Sequence, residues 1–226
     1  MPIGINLSKL NYPLKTADLS PGYSVKLSRT IPVLTALCFQ TAVASEPRNA
    51  LDIIKEKCQH CHGLKGEASN SIYPRLAGQN AAYIAKQLAD FQSGRRKGTM
   101  NEMVKGLTAD EMRSLGEYFA AQPPKSHRVF DKALAAVGYY LYHKGNRWND
   151  LPSCASCHGE NGSGSETLPR LAGQHKHYLV QQLDAFKERT RTNDNAIMFT
   201  IQGKLTEMER VALALYISGL KGDEEK

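Results

Sequence analysis

Apolar positions recur at helical spacing through most of the chain, and the same stretches of pattern occur twice. Leu51 and Ile54 stand three to four residues apart and lead into Cys58; Leu134, Val137 and Leu141, with tyrosines beside them, stand in the same way ahead of Cys154. A second amphipathic stretch, Tyr83, Ile84, Gln87, Leu88 and Phe91, is matched by Tyr178, Leu179, Leu183 and Phe186. The last stretch of each set carries a helix start: Thr108 with Glu111, and Thr206 with Glu209, at capping-box spacing. Strand-like alternation is nowhere sustained. The pattern predicts an all-α chain made of two similar units.

Setting Cys58 on Cys154 makes the duplication explicit. YPRLAGQ (73–79) falls on LPRLAGQ (168–174), and YIAKQLADF (83–91) on YLVQQLDAF (178–186). MNEMVKGLTADEM (100–112) falls on MFTIQGKLTEMER (198–210), and Tyr118 on Tyr216. The offset moves from 96 to 95 to 98, which places two small length changes in loops. QPPKSHR (122–128) has two prolines and reads as the linker. The expected organisation is a leader at 1–44, a first domain at 45–122, a linker at 123–128 and a second domain at 129–226. Units this small and rich in glycine loops bury little surface and need a staple, which a large apolar cofactor supplies.

Composition changes the picture at the N-terminus. Lys26 and Arg29 precede the apolar run IPVLTALCFQTAVA, which ends in small residues at Ala42 and Ala44. This is the layout of a cleavable secretory signal, cut after Ala44, with the mature chain exported to the periplasm. The run is too short and interrupted for a membrane span. Residues 1–23 then form a long leader or follow an upstream start codon. Cys38 lies inside the run, and Leu37 before it is too large for a lipoprotein signal. Removing Lys9, Lys15, Lys26, Arg29 and Asp18 with the leader takes 29 basic and 22 acidic residues to 25 and 21, so +7 falls to +4. No basic stripe remains to suggest nucleic acid as a partner.

Four of the five cysteines survive, all in the two CxxCH motifs, CQHCHGLKG (58–66) and CASCHGENG (154–162). A redox dithiol needs a βαβ setting and leaves the histidine unexplained. A zinc site from Cys58, Cys61, Cys154 and Cys157 would join halves nearly a hundred residues apart, each belonging to a whole repeated module. Covalent haem c uses every residue: Cys58 and Cys61, then Cys154 and Cys157, form thioethers, while His62 and His158 reach the iron. Two haem groups are expected.

The sixth iron position separates carrier from catalyst, and methionine is the carrier's ligand. Met112 and Met208 fall inside the last helices, where methionine serves as core filler. Met103 aligns with Ile201 and drops out. Met100 and Met198 each precede the leucine opening the last helix by seven residues, in irregular polar segments, and are the expected ligands. Pro74 and Pro169 follow the histidines by 12 and 11 residues; their carbonyls suit a histidine ring N–H, and a rigid turn is the other reading. Arg75 and Arg170 suit haem propionates, or are plain exposed arginines. His60, His127, His143, His175 and His177 lack counterparts and read as surface or packing residues.

Tandem CxxCH modules followed by PRLAGQ, a tyrosine, QL, a phenylalanine and a late methionine resemble the dihaem cytochrome c4 family, over roughly residues 47 to 220. The resemblance implies two class I cytochrome c domains facing each other about a pseudo-twofold, with His62/Met100 and His158/Met198 as axial pairs. It implies an electron carrier, not an enzyme, moving electrons from a membrane respiratory complex or dehydrogenase to a terminal oxidase, with transient membrane-surface contact. Other readings are the haem subunit of a flavoprotein sulfide dehydrogenase, a dihaem peroxidase, or a thiosulfate-oxidising cytochrome. One departure is visible: QSGRRKGT, before Met100, is three residues shorter than its partner KERTRTNDNAI.

Overall fold

A computed structural model of the protein describes residues 48–223; the leader with Cys38 and its signal cleavage site lies outside the described residues. The described chain is helical, without strands. In the first unit α1 (Ala50–Ile53), a π-helical turn (Ile54–Cys58) and α2 (Gln59–His62) run on continuously, followed by α3 (Ala81–Gln92), α4 (Met100–Met103) and α5 (Ala109–Ala120). The second unit has α6 (Lys132–Lys144), α7 (Ala155–His158), α8 (Lys176–Lys187), α9 (Ile197–Gln202) and α10 (Glu207–Gly219).

The helix starts follow from side-chain caps. Asn49 and Asp131 accept from Leu51 N and Leu134 N, and both Thr108–Glu111 and Thr206–Glu209 close as capping boxes. Arg48 adds to the first box, its Nε 2.9 Å from Glu111 Oε1. Each unit has its own apolar core. Ile53, Ile54, Ile84, Val104, Leu115 and Phe119 centre the first; Leu141, Tyr142, Leu179, Leu205, Leu213 and Ile217 centre the second. At roughly 1.5–3 kcal/mol per fully buried large side chain, each core is modest, in keeping with a unit built around a cofactor.

Three expectations need correction. Val137 is 44% exposed, because α6 meets α10 through Gly138, Leu141 and Tyr142, and this turns Val137 outward. Met208 is 69% exposed and fills no core: it sits in the first turn of α10, before the helix reaches the interior, whereas Met112 is buried. In the second unit the first helix does not run into the CxxCH motif as it does in the first. Residues 145–153 intervene as a loop closed by reciprocal Asn146–Leu151 backbone bonds of 2.9 Å and pinned by buried Leu151.

Candidate haem centres

In the first unit α2 ends on His62, and Gly63 (φ +76°) then turns the chain in a conformation that disfavours side chains. His62 is buried, with Nδ1 3.0 Å from Pro74 O. Beside it lies a cavity of about 1070 Å³. Its wall includes Cys58, Cys61, His62 and Pro74 on one side, Leu88 and Phe91 from α3, and Met100, Met103, Val104, Leu107 and Leu115. That volume is at the upper end of ligand sites, about 300–1,000 Å³. Two thiols, an imidazole and a thioether around an apolar space fit a haem c.

The protonation states agree. Burial lowers the His62 pKa against the opposing effect of the Pro74 bond, so the ring is neutral and free to ligate. Burial pushes the Cys58 thiol up to about 11, unlike the depressed pKa of an exchanging dithiol. Among the described residues no three His, Cys, Asp or Glu side chains gather to hold a metal ion.

The second unit repeats the arrangement. His158 ends α7, Gly159 (φ +83°) turns the chain, and His158 Nδ1 lies 3.3 Å from Pro169 O. Burial lowers the His158 pKa and pushes Cys154 up to about 11. Met100 and Met198 are not in irregular segments as expected. Met100 opens α4, and Met198 stands in the first turn of α9, its N–H on Asp194 Oδ2 at 2.6 Å. Asn195 and Ala196 are both left-handed (φ +55° and +64°), which is how the longer second loop is absorbed. Met103 also lines the cavity beside His62, although its alignment with Ile201 speaks against a ligand role.

Sequence reasoning missed how the repeated motifs join the two units. Gln79 Oε1 accepts from Arg170 N (2.7 Å) and its Nε2 donates to Arg170 O (2.9 Å); Gln174 treats Arg75 N and O alike (2.8 and 2.9 Å). The Arg75 guanidinium donates to Gly173 O and Lys125 O, and Arg170 is buried, which excludes the exposed-arginine reading for it. Asn80 Nδ2 donates to Leu168 O, while in the equivalent place His175 Nε2 donates to Ala68 O (2.7 Å both). Farther along α3 and α8, buried Arg96 donates to Gln87, Tyr178 and Gln182, and buried Arg191 to Gln182, Tyr83 and Gln87. Each guanidinium also lies over the phenylalanine of its own unit, Arg96 on Phe91 (4.6 Å) and Arg191 on Phe186 (4.4 Å). The available signal was the repeat itself, because Tyr, Gln, Phe and Arg all recur at an offset of 95.

Of the other histidines, His60 and His177 are exposed. His127 and His175 pack together, Nε2 to Nδ1 at 3.0 Å, and His143 bonds Tyr216 Oη (2.8 Å).

The chain is similar in sequence and fold to known proteins. Residues 136–221 match the family model "Cytochrome c", and 45–119 match "Cytochrome C oxidase, cbb3-type, subunit III". Cytochrome c4 of Thiocapsa roseopersicina is 39% identical over 167 residues, 72% of this chain and 86% of that protein. A thiosulfate dehydrogenase electron acceptor of Stutzerimonas stutzeri is 35% identical over 72% of this chain and 78% of its own length. The crystal structure of reduced cytochrome c4 from Pseudomonas stutzeri superposes with a TM-score of 0.73 at 32% identity, covering 77% of this chain and all of that one.

Proposed function

Because the chain belongs to the cytochrome c4 family and so is an electron-transfer protein with two covalent haem c groups, we propose that it works in the periplasm, passing electrons from a respiratory complex or dehydrogenase to a terminal oxidase or a similar acceptor. The observation that carries the reading is the joint placement of Cys58, Cys61, His62 and Met100 on the wall of one cavity. Cys58 and Cys61, and Cys154 and Cys157, would tether the two groups. His62 with Met100, and His158 with Met198, would hold the iron. Bound haem iron supplies one-electron chemistry, and a thioether ligand raises its potential. The chain's residues do the rest. Pro74 and Pro169 orient the histidine rings, the apolar walls exclude water, and with Met100 and Met198 held against the bound groups a substrate would find no place to bind.

A second reading, the electron-accepting subunit of a thiosulfate-oxidising dehydrogenase, is favoured by the 35% identical relative of that name. Redox contacts of the free carrier are small and transient.

The test is a haem count on periplasmic material, then oxidised-state spectra of three variants. Met100→Ala and Met198→Ala should each remove about half of the methionine–iron charge-transfer absorption (two equivalent haems, one ligand lost), and Met103→Ala none. A Met100→Ala protein with the full band, or a chain without covalent haem, would overturn the assignment. Co-purification with a dehydrogenase would favour the subunit reading.

A further inference from the structure

The peptide bond between Pro74 and Arg75 is held from both ends. Its carbonyl oxygen lies 3.0 Å from His62 Nδ1, and its N–H donates to Gln174 Oε1 of the second unit at 2.8 Å. The Pro169–Arg170 peptide repeats this, with the carbonyl 3.3 Å from His158 Nδ1 and the N–H on Gln79 Oε1 of the first unit at 2.7 Å. Both glutamines are buried, 7% and 6% exposed. Their amide orientation is fixed, because each Oε1 also accepts its neighbour's N–H, from Asn80 at 3.0 Å and from His175 at 2.9 Å. Turning either amide over would set donors against donors.

We propose that Gln79 and Gln174 are crossed positioning residues: each sets the hydrogen bond on the axial histidine of the opposite unit, and with it that unit's haem potential. The proposal rests on the reading of His62 and His158 as iron ligands. A peptide group is one conjugated unit, so charge drawn at its N–H appears at its carbonyl oxygen. A glutamine oxygen on Arg75 N–H therefore makes Pro74 O a better acceptor for His62 Nδ1–H, as in any chain of hydrogen bonds in a low-dielectric interior. A stronger bond at Nδ1 makes the ring a more basic ligand. A more basic ligand favours the ferric state and lowers the potential. Gln174 belongs to the approach to α8, yet the histidine it acts on is His62.

The test uses the haem-loaded full chain, with haem-methyl NMR resonances assigned to each unit and followed through a redox titration. Gln174→Leu should raise the potential of the haem on Cys58 and Cys61 and leave the other in place; Gln79→Leu should do the reverse. The reduced-to-oxidised ratio at fixed ambient potential should change by roughly three- to tenfold, tenfold being about 59 mV for a one-electron couple. Gln174→Glu keeps the acceptor, adds charge to it, and should lower the first haem's potential, so the test survives if the leucine variants fold poorly. Shifts confined to the mutated unit, equal shifts in both haems, or none with an intact visible spectrum would overturn the proposal. Failure of the ligand reading looks different: a His62→Ala chain with unchanged axial spectra would remove the premise itself.

Discussion

Arg96 and Gln182 meet across the boundary between the two units at 2.8 Å, Nη2 to Oε1, and the same glutamine oxygen takes Arg191 Nη1 at 2.9 Å. One neutral acceptor thus serves two buried cations. Hydrogen bonds to charged groups contribute roughly 1.5–3 kcal/mol each, and truncating one partner leaves the others buried and unmatched. Arg96→Ala should therefore destabilise the docked pair of units by about 3 kcal/mol. Arg96→Lys should recover little, since an ammonium cannot reach Gln87, Tyr178 and Gln182 with one planar fork. Urea unfolding of the haem-loaded chain measures both; full stability in Arg96→Ala would mean that the interface does not depend on this pair.

What was legible in the sequence was whatever repeats locally. The CxxCH motifs, the capping boxes at Thr108 and Thr206, and the amphipathic α3 and α8 depend on neighbours within about one turn, so spacing alone exposes them. The partners of Gln79 and Arg96 lie 91 and 82–86 residues away. Duplication marked these residues as shared by both units but not as facing each other. Val137 and Met208 failed for a related reason. Periodicity identifies a helix, while which face is inward depends on where the packing partner arrives.

Two interior glycines mark where those partners arrive closest. A Cβ on Gly116 of α5 would stand 2.4 Å from Ala81 O at the start of α3, and one on Gly138 of α6 would stand 2.1 Å from Ala212 O of α10. In an exposed helix, Gly to Ala gains about 1 kcal/mol. Here the helices must part to admit a methyl group, and overpacking of this kind costs roughly 1–3 kcal/mol. Gly116→Ala and Gly138→Ala should both lower the melting temperature, with Gly138→Ala the worse. A stabilised variant would show that the crossings are looser than described.

Acid should loosen the contact between linker and interface. His175 Nε2 bonds Ala68 O, so its Nδ1 accepts from His127 Nε2–H and both rings are neutral. Burial, with Arg75 and His175 adding repulsion, lowers the His127 pKa to about 4 from its ordinary 6.5. The unfolded chain then takes up a proton below about pH 6.5 that the folded chain refuses until about pH 4. Stability should fall as pH drops through this window and level off beneath it. His127→Gln keeps a donor for His175 without the titration, and should flatten that part of the stability–pH curve. An unchanged slope would assign the loss to other groups.

A separate carboxylate governs the more acid range. Glu111 closes the cap of α5, with Oε2 on Thr108 N at 2.8 Å and Oε1 on Arg48 Nε at 2.9 Å. The Arg48 bond, then the Thr108 bond, hold its pKa down at about 2 against burial, below its ordinary 4.5. For a carboxyl lowered on folding, the stabilisation is complete above about pH 4.5 and disappears as pH falls through about 2. Glu111→Gln should accordingly be less stable at neutral pH by about 1 kcal/mol, the usual contribution of a cap. The two proteins should converge near pH 2, where wild-type Glu111 is itself protonated. Arg48→Ala should reproduce much of the neutral-pH loss, because its guanidinium does most to lower the Glu111 pKa. Denaturant titrations at pH 7 and pH 2.5 decide the matter: a gap that stays constant between them would mean that Glu111 acts through shape and not through charge.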